Sequence, residues 1–161
     1  MIRRDMPQVL AIENKASNPS WLEEDFLSHL LQRKTIGMVV EVGDHIVGFM
    51  IYDLNTNHIS LTKMVVNVDY DFEMISKRMI DKLIGKLSGH RRIAITFHVR
   101  ETDLRQQIFL RSQNFQALEV LTEYFNDTGE DAFFMQYDLK EWIHLEKTNE
   151  DDYEKKFEFS E

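Results

Sequence analysis

The sequence predicts a mixed α/β (α+β) layer fold: a largely antiparallel sheet of about seven strands flanked by about four helices. Three observations lead there. Segments with period-two apolar patterning alternate with segments at helical spacing, in the order β-α-α-β-β-β-α-β-α-β-β. Two strand pairs are joined by short polar turns, Gly43-Asp44 and NDTGED at 126–131, so these neighbours read as hairpins. The chain has 161 residues, 43% of them hydrophobic, which suits one core. No repeat or linker divides it. The reading is a domain over 1–139 and an acidic extension over 140–161, with the last dozen residues loose.

Each element follows from local pattern. Residues 1–4 predict a short strand. Met6 to Lys15 carries Val9, Leu10 and Ile12, a short helix. Asn18-Pro19-Ser20 is loop chemistry, with Ser20 capping a helix from Trp21 to about Gln32 whose inward set is Leu22, Phe26, Leu27, Leu30 and Leu31. Strands follow at 36–42, 45–54 and 59–68, broken by Gly43-Asp44 and by Asn55 to Asn57. Phe72, Ile75, Met79, Ile80, Leu83, Ile84 and Leu87 form a helical stripe that Ser88-Gly89 ends. A strand at 93–99 precedes a helix at 103–113, capped by Thr102, with Leu104, Ile108 and Phe109 inward. Strands at 117–125 and 132–139 close the pattern.

Charge and composition narrow the function. The net charge of −9 argues against nucleic acid, which needs concentrated Lys and Arg, and is compatible with a basic peptide or amine. There is no cysteine, and no apolar run of membrane-spanning length. The start, MIRRDMPQVL, is unlike a secretory signal, so a cytoplasmic setting is expected. The six histidines lack metal-ligand spacing, and no nucleophile elbow is present.

Four stretches carry a family resemblance: LAIENKASNPSWLEEDF (10–26), VGFMIYDL (47–54), VRETDLRQQIFLRSQNF (99–115) and YFNDTGEDAFFMQY (124–137). In this order and spacing the chain resembles the GNAT acetyltransferase superfamily over about residues 2–139. Within it the match is to the ribosomal-protein-alanine N-acetyltransferases. The resemblance implies acetyl-CoA as cofactor and a protein N-terminal or other primary amine as acceptor. It implies that the pantetheine arm lies along a strand edge, here Met64, Val65 and Val66. The pyrophosphate then sits on the following turn, at a helix N-terminus whose free N–H groups and dipole favour an anion.

That turn lies in VNVDYDFEMISKRMIDKL, residues 66–83. The family writes it Gln/Arg-x-x-Gly-x-Gly/Ala. The six positions here are Asp71, Phe72, Glu73, Met74, Ile75 and Ser76, so an acid replaces the first residue and side chains replace both glycines. A like-charge pair at ~4 Å costs roughly 1 kcal/mol in water and more at lower dielectric. Read without the family, Asp71 is a helix cap and Glu73 complements the dipole. Lys77 and Arg78 partly offset the acids.

The resemblance also implies a base and an acid. The family's basic Glu corresponds to His98, whose pKa near neutrality suits proton abstraction. Its acidic Tyr corresponds to Leu110, which has no proton to give. Tyr124 is the candidate in its place. The family's cofactor-touching Asn corresponds to Asp103. Trp21, with Pro19 and Ser20, and the pair Glu130 and Asp131 stand where the family frames its acceptor groove. Each residue also has a plain reading: His98 facing the sheet with a hydrogen-bond partner, Tyr124 and Trp21 as packing. Three functions therefore stay open: an N-acetyltransferase, a non-catalytic GNAT-fold binding or regulatory module that has lost acetyl-CoA, and a transferase using a different acyl donor with fewer phosphates. An edge strand also admits a homodimer.

Overall fold

In the computed structural model, which describes residues 1, 3–139 and 158–161, the sheet is built around the two expected hairpins. The strands are β1 (Thr35–Val42), β2 (His45–Leu54), β3 (His58–Val66), β4 (Ala94–Arg100), β5 (Gln116–Phe125), β6 (Glu130–Asp138) and a short β7 (Glu158–Ser160). Their order across the sheet is β5-β6-β4-β3-β2-β1-β7. All neighbours are antiparallel except β3 and β4. Gly43 (φ 60) and Gly129 (φ 72) supply the positive φ that the hairpin turns need.

Two helices cover each face. α1 (Met6–Ala16) and α2 (Glu23–Leu30) pack on one side through Val9, Ile12 and Phe26, against Phe49, Ile51 and Val65. α3 (Phe72–Ile84) and α4 (Leu104–Ser112) cover the other through Ile75, Met79, Ile80, Leu83, Phe109 and Leu110. The β3–β4 crossover through α3 is what makes that pair parallel. Side chains alternate along β3, so Met64 faces α3 and α4 while Lys63 and Val65 face α1 and α2.

Several expectations are corrected. Residues 3–5 form a 3-10 turn, Arg3–Asp5, rather than part of a strand. The seventh strand is instead β7, which pairs with β1. The Met1 amine donates to the carbonyls of Gly37 (2.9 Å) and Ser160 (3.2 Å), at this same edge. The rest of the expected loose tail lies outside the described residues. α2 starts at Glu23, with Leu22 rather than Ser20 at the N-cap, its N–H accepted by the Asp25 carboxylate at 2.7 Å. Only Phe26 of its apolar set is fully buried; Leu22, Leu27 and Leu31 are exposed, because so short a helix turns little of its surface inward. In α4 the buried face is Gln106, Phe109 and Leu110, three residues that share one side at helical spacing. Leu104 and Ile108 point to solvent, and Asp103 rather than Thr102 is the cap.

Candidate functional site

β3 and β4 pair from His58↔Ala94 to Leu61↔Phe97, and there the ladder stops. β3 stays bonded to β2 as far as Val66, and β4 stays bonded to β6 as far as Arg100. Each strand is held by its outer neighbour, so the two part between them. The gap opens a cleft of about 1180 Å³. It runs from the α1–α2 loop, through the splay, to the N-termini of α3 and α4, with residues 124–127 as a side wall.

At the α1–α2 end stands a buried ion pair. Glu13, fully buried, takes the Lys63 ammonium at 2.6 Å. It also accepts from the Trp21 N–H (2.8 Å) and the Ser17 hydroxyl (2.9 Å). One carboxylate therefore ties α1, the loop and β3 together. Lys63 lies over the Trp21 ring, 4.5 Å from its centroid. Burial pushes the lysine pKa down, and Glu13 opposes that.

In the middle of the cleft, His98 and Tyr124 come together. Their rings stack 4.6 Å apart at 7°, and Phe134 closes on His98 at 5.0 Å. His98 has ring contacts but no hydrogen-bond partner among the described residues, unlike its plain reading. Burial lowers its pKa, so the neutral imidazole dominates at pH 7. The wall beside it is locked by Arg100, which bonds Asp127 (2.6 Å), Glu130 (2.7 Å) and Thr128 (2.9 Å) and lies 4.0 Å over Phe125. The Arg100 hydrogen bond holds the Asp127 carboxyl below its ordinary range.

Glu130 and Asp131 do not line the cleft. Glu130 accepts from Thr102, Thr128 and Arg100, and these bonds, Thr102 first, lower its pKa. Asp131 accepts the N–H of Glu123, a residue held at φ 49 at a break in the β5–β6 register. Trp21 does line the cleft, at its α1–α2 end.

At the other end, two groups that a cofactor of the expected kind would meet are satisfied from within the chain. The Asp71 carboxylate accepts the Met74 N–H at 2.8 Å, so the plain capping geometry is present. The Gln106 carboxamide donates to the Met64 carbonyl at 3.3 Å. Asp103 caps α4 on the Gln106 N–H, and burial raises its pKa. Arg105 stands 4.2 Å over the Phe72 ring, a cation beside the acidic turn. Phe72 in turn packs edge-on against Phe109 at 5.7 Å. Met74 is exposed, Ile75 is core, and Ser76 is fully buried with no partner for its hydroxyl among the described residues.

The splay thus brings together Met64, Val65, Val66, Phe72, Asp103, His98, Tyr124 and Trp21 around one cleft. Sequence reasoning missed Glu13, Lys63, Arg105 and Gln106. Lys63 had a signal, a lone charge inside the apolar run ISLTKMVV. Among the described residues no cluster of His, Asp and Glu could hold a metal, and no helix is long and apolar enough to cross a membrane.

No family model matches the sequence, and no curated protein matches it significantly. Solved structures match the fold along most of the chain. The ribosomal-protein-S18-alanine N-acetyltransferase from Escherichia coli superposes with a TM-score of 0.76 at 20% identity, over 87% of this chain and 91% of that one. Arabidopsis thaliana NAA60, in complex with a bisubstrate analogue, gives 0.75 at 12%, over 87% and 96%. A Bacillus subtilis acetyltransferase in complex with CoA gives 0.67 at 12%, over 83% and 93%. The chain therefore shares its fold with these acetyltransferases. Specifically, the chain has the GNAT fold.

Proposed function

We propose that the chain is an N-acetyltransferase, moving an acetyl group from acetyl-CoA to a primary amine on a protein N-terminus or a small molecule. The observation that carries this reading is the cleft through the β3–β4 splay, with the neutral His98 set in it.

The fit to the cofactor rests on two stand-ins. The Gln106 carboxamide donates to the Met64 carbonyl, an acceptor that an amide N–H of a pantetheine arm would use. The Asp71 carboxylate accepts the Met74 N–H, a donor that a phosphate oxygen would use. One anchor point is an acceptor and the other a donor, as the cofactor needs, and Gln106 and Asp71 would have to move aside for it. Met64 to Val66 would hold the arm, and residues 71–76 with Arg105 the phosphates. Asp71 and Glu73 weaken that second contact. When bound, acetyl-CoA supplies the acyl group as an activated thioester.

The chain's own residues do the rest. His98 takes a proton from the acceptor amine at a ring nitrogen, and its depressed pKa keeps it unprotonated for that role. Tyr124, stacked on it, fixes the plane of the ring. The Tyr124 hydroxyl, without a partner among the described residues, would be the proton donor to the leaving group. The hydrophobic pair Phe97 and Val99, beside His98 on β4, limits water in the splay.

The test is mass-spectrometric detection of acetyl transfer to a panel of peptides and small amines. His98→Ala should lower the rate by about 100-fold or more. An unchanged rate would remove His98 from the mechanism.

A second reading draws on the same two hydrogen bonds. If Asp71 and Gln106 hold their positions permanently, the chain is a binding module with a GNAT fold. Its signature is no acetyl-CoA binding at any accessible concentration.

A further inference from the structure

We infer that Asp131 is a positioning residue: its carboxylate holds a bulge at Glu123 that turns Tyr124 out of its regular place in β5 and onto the His98 ring. This rests on the acetyl-transfer reading only for what the His98–Tyr124 pair then does.

Cross-strand partners point to the same face of a sheet, and so do residues two apart in one strand. His98 and Arg100 therefore share a face of β4. Arg100 pairs with Ala132, which pairs with Leu121, so Leu121 is on the His98 side. Continued without a break, β5 would put Glu123 on that side and Tyr124 on the opposite one. Yet the Tyr124 ring lies flat on His98, 4.6 Å away at 7°. The alternation is reversed between Leu121 and Tyr124.

The register locates the reversal. The pair after Leu121↔Ala132 is Phe125↔Glu130, so Thr122, Glu123 and Tyr124 stand opposite Asp131 alone. Glu123 sits at φ 49, where a side chain crowds the backbone and glycine is the ordinary choice. Such a conformation persists only where its surroundings impose it. The Glu123 N–H donates to the Asp131 carboxylate at 2.8 Å. Asp131 is fixed in turn by the end of β4: its carbonyl accepts the Glu101 N–H at 3.1 Å, and its N–H donates to the Glu101 carboxylate at 3.3 Å. Arg100 pins the chain beyond the bulge, through Phe125 and Asp127, but only Asp131 bonds the residue whose φ is reversed. Bulges beside functional sites re-aim side chains in this way. Asp131 stays outside the cleft and acts through Glu123 on Tyr124.

The experiment is proton–carbon NMR of the full chain, read at the His98 ring C–H groups, which the Tyr124 ring current shifts upfield. Tyr124→Leu abolishes that shift and so defines the signal. Asp131→Ala should lose most of it, and the His98 pKa should rise toward its ordinary value as the ring loses cover. Asp131→Asn, which keeps an acceptor oxygen, should retain most of the shift. Asp131→Ala/Glu123→Gly should regain part of it, because glycine takes the positive φ without strain. A merely structural Asp131 would lower the denaturation midpoint and leave the shift of the folded protein unchanged, which overturns the inference. A loss in Asp131→Asn as large as in Asp131→Ala, or a folded double variant with no recovery, overturns it as well. In acetyl transfer, Asp131→Ala should lower kcat by about tenfold or more with the KM for acetyl-CoA unchanged. No transfer by any of these proteins would contradict the enzyme reading and leave the shifts to decide this one. A full shift in Asp131→Ala beside an active wild type would do the reverse.

Discussion

The Lys63 ammonium and the Glu13 carboxylate lie 2.6 Å apart, and Glu13 is sealed from solvent. This pair is the joint between α1 and β3. Breaking a buried pair by removing one partner strands the other charge, at a cost of about 3–5 kcal/mol. Lys63→Met alone should therefore lower the unfolding free energy by an amount near the lower end of that range, because Lys63 keeps slight exposure. Glu13→Gln/Lys63→Met should recover much of the loss. Chemical denaturation of the three proteins checks both.

Ser76 gives the opposite sign. Its hydroxyl is buried without a partner among the described residues, and such a group costs about 1–3 kcal/mol relative to one that is satisfied or absent. Ser76→Ala should stabilise the fold, measured as a rise in the denaturant midpoint at an unchanged slope. A destabilised variant would mean that the hydroxyl has a partner such as an ordered water.

His98 sets a pH dependence. Burial holds its folded pKa below the ordinary 6.5, so the unfolded chain binds the proton more readily. Its contribution to stability is complete above about 6.5 and is lost as pH falls from there through the folded value. Unfolding free energy should rise with pH across that window, and His98→Gln should flatten the rise. Denaturation curves at stepped pH read it directly. The same protonation should switch off acetyl transfer on the acid side.

Freeing the cofactor end should strengthen cofactor binding. Gln106→Ala releases the Met64 carbonyl from its internal donor. About 1 kcal/mol is recovered when one such bond no longer competes, a gain of roughly fivefold to tenfold in acetyl-CoA affinity. The combined change Asp71→Arg, Glu73→Arg, Met74→Gly and Ser76→Gly should add to it, although losing the Asp71 cap costs about 1 kcal/mol of stability. No gain in either variant would place the obstacle elsewhere in the cleft.

What the sequence made legible follows from how local each signal is. The six strands and four helices between residues 6 and 138 come from periodicity, which a short window carries. The Asp71 cap was readable because a side chain bonding three residues ahead is a local event. Arg3 to Asp5 misled, since so few residues hold no period. Leu104 and Ile108 misled for another reason: α4 buries Gln106 instead, because the Met64 carbonyl across the splay satisfies its amide. Glu130 and Asp131 are in the expected hairpin, but Arg100, Thr102 and Glu123 claim their carboxylates. Lys63 and Glu13 are fifty residues apart in the chain, and only the packing of α1 on β3 joins them.

The most direct test of the central claim is calorimetric titration of the purified chain with acetyl-CoA, with free CoA alongside, at low and moderate salt. The account predicts sub-millimolar binding of both ligands, weakened by salt because phosphates meet Arg105 and the helix N-terminus, and strengthened in Gln106→Ala. No heat at millimolar acetyl-CoA, in the wild type and in Gln106→Ala alike, would contradict it. Asp71 and Gln106 would then be permanent occupants of a cleft that takes no cofactor.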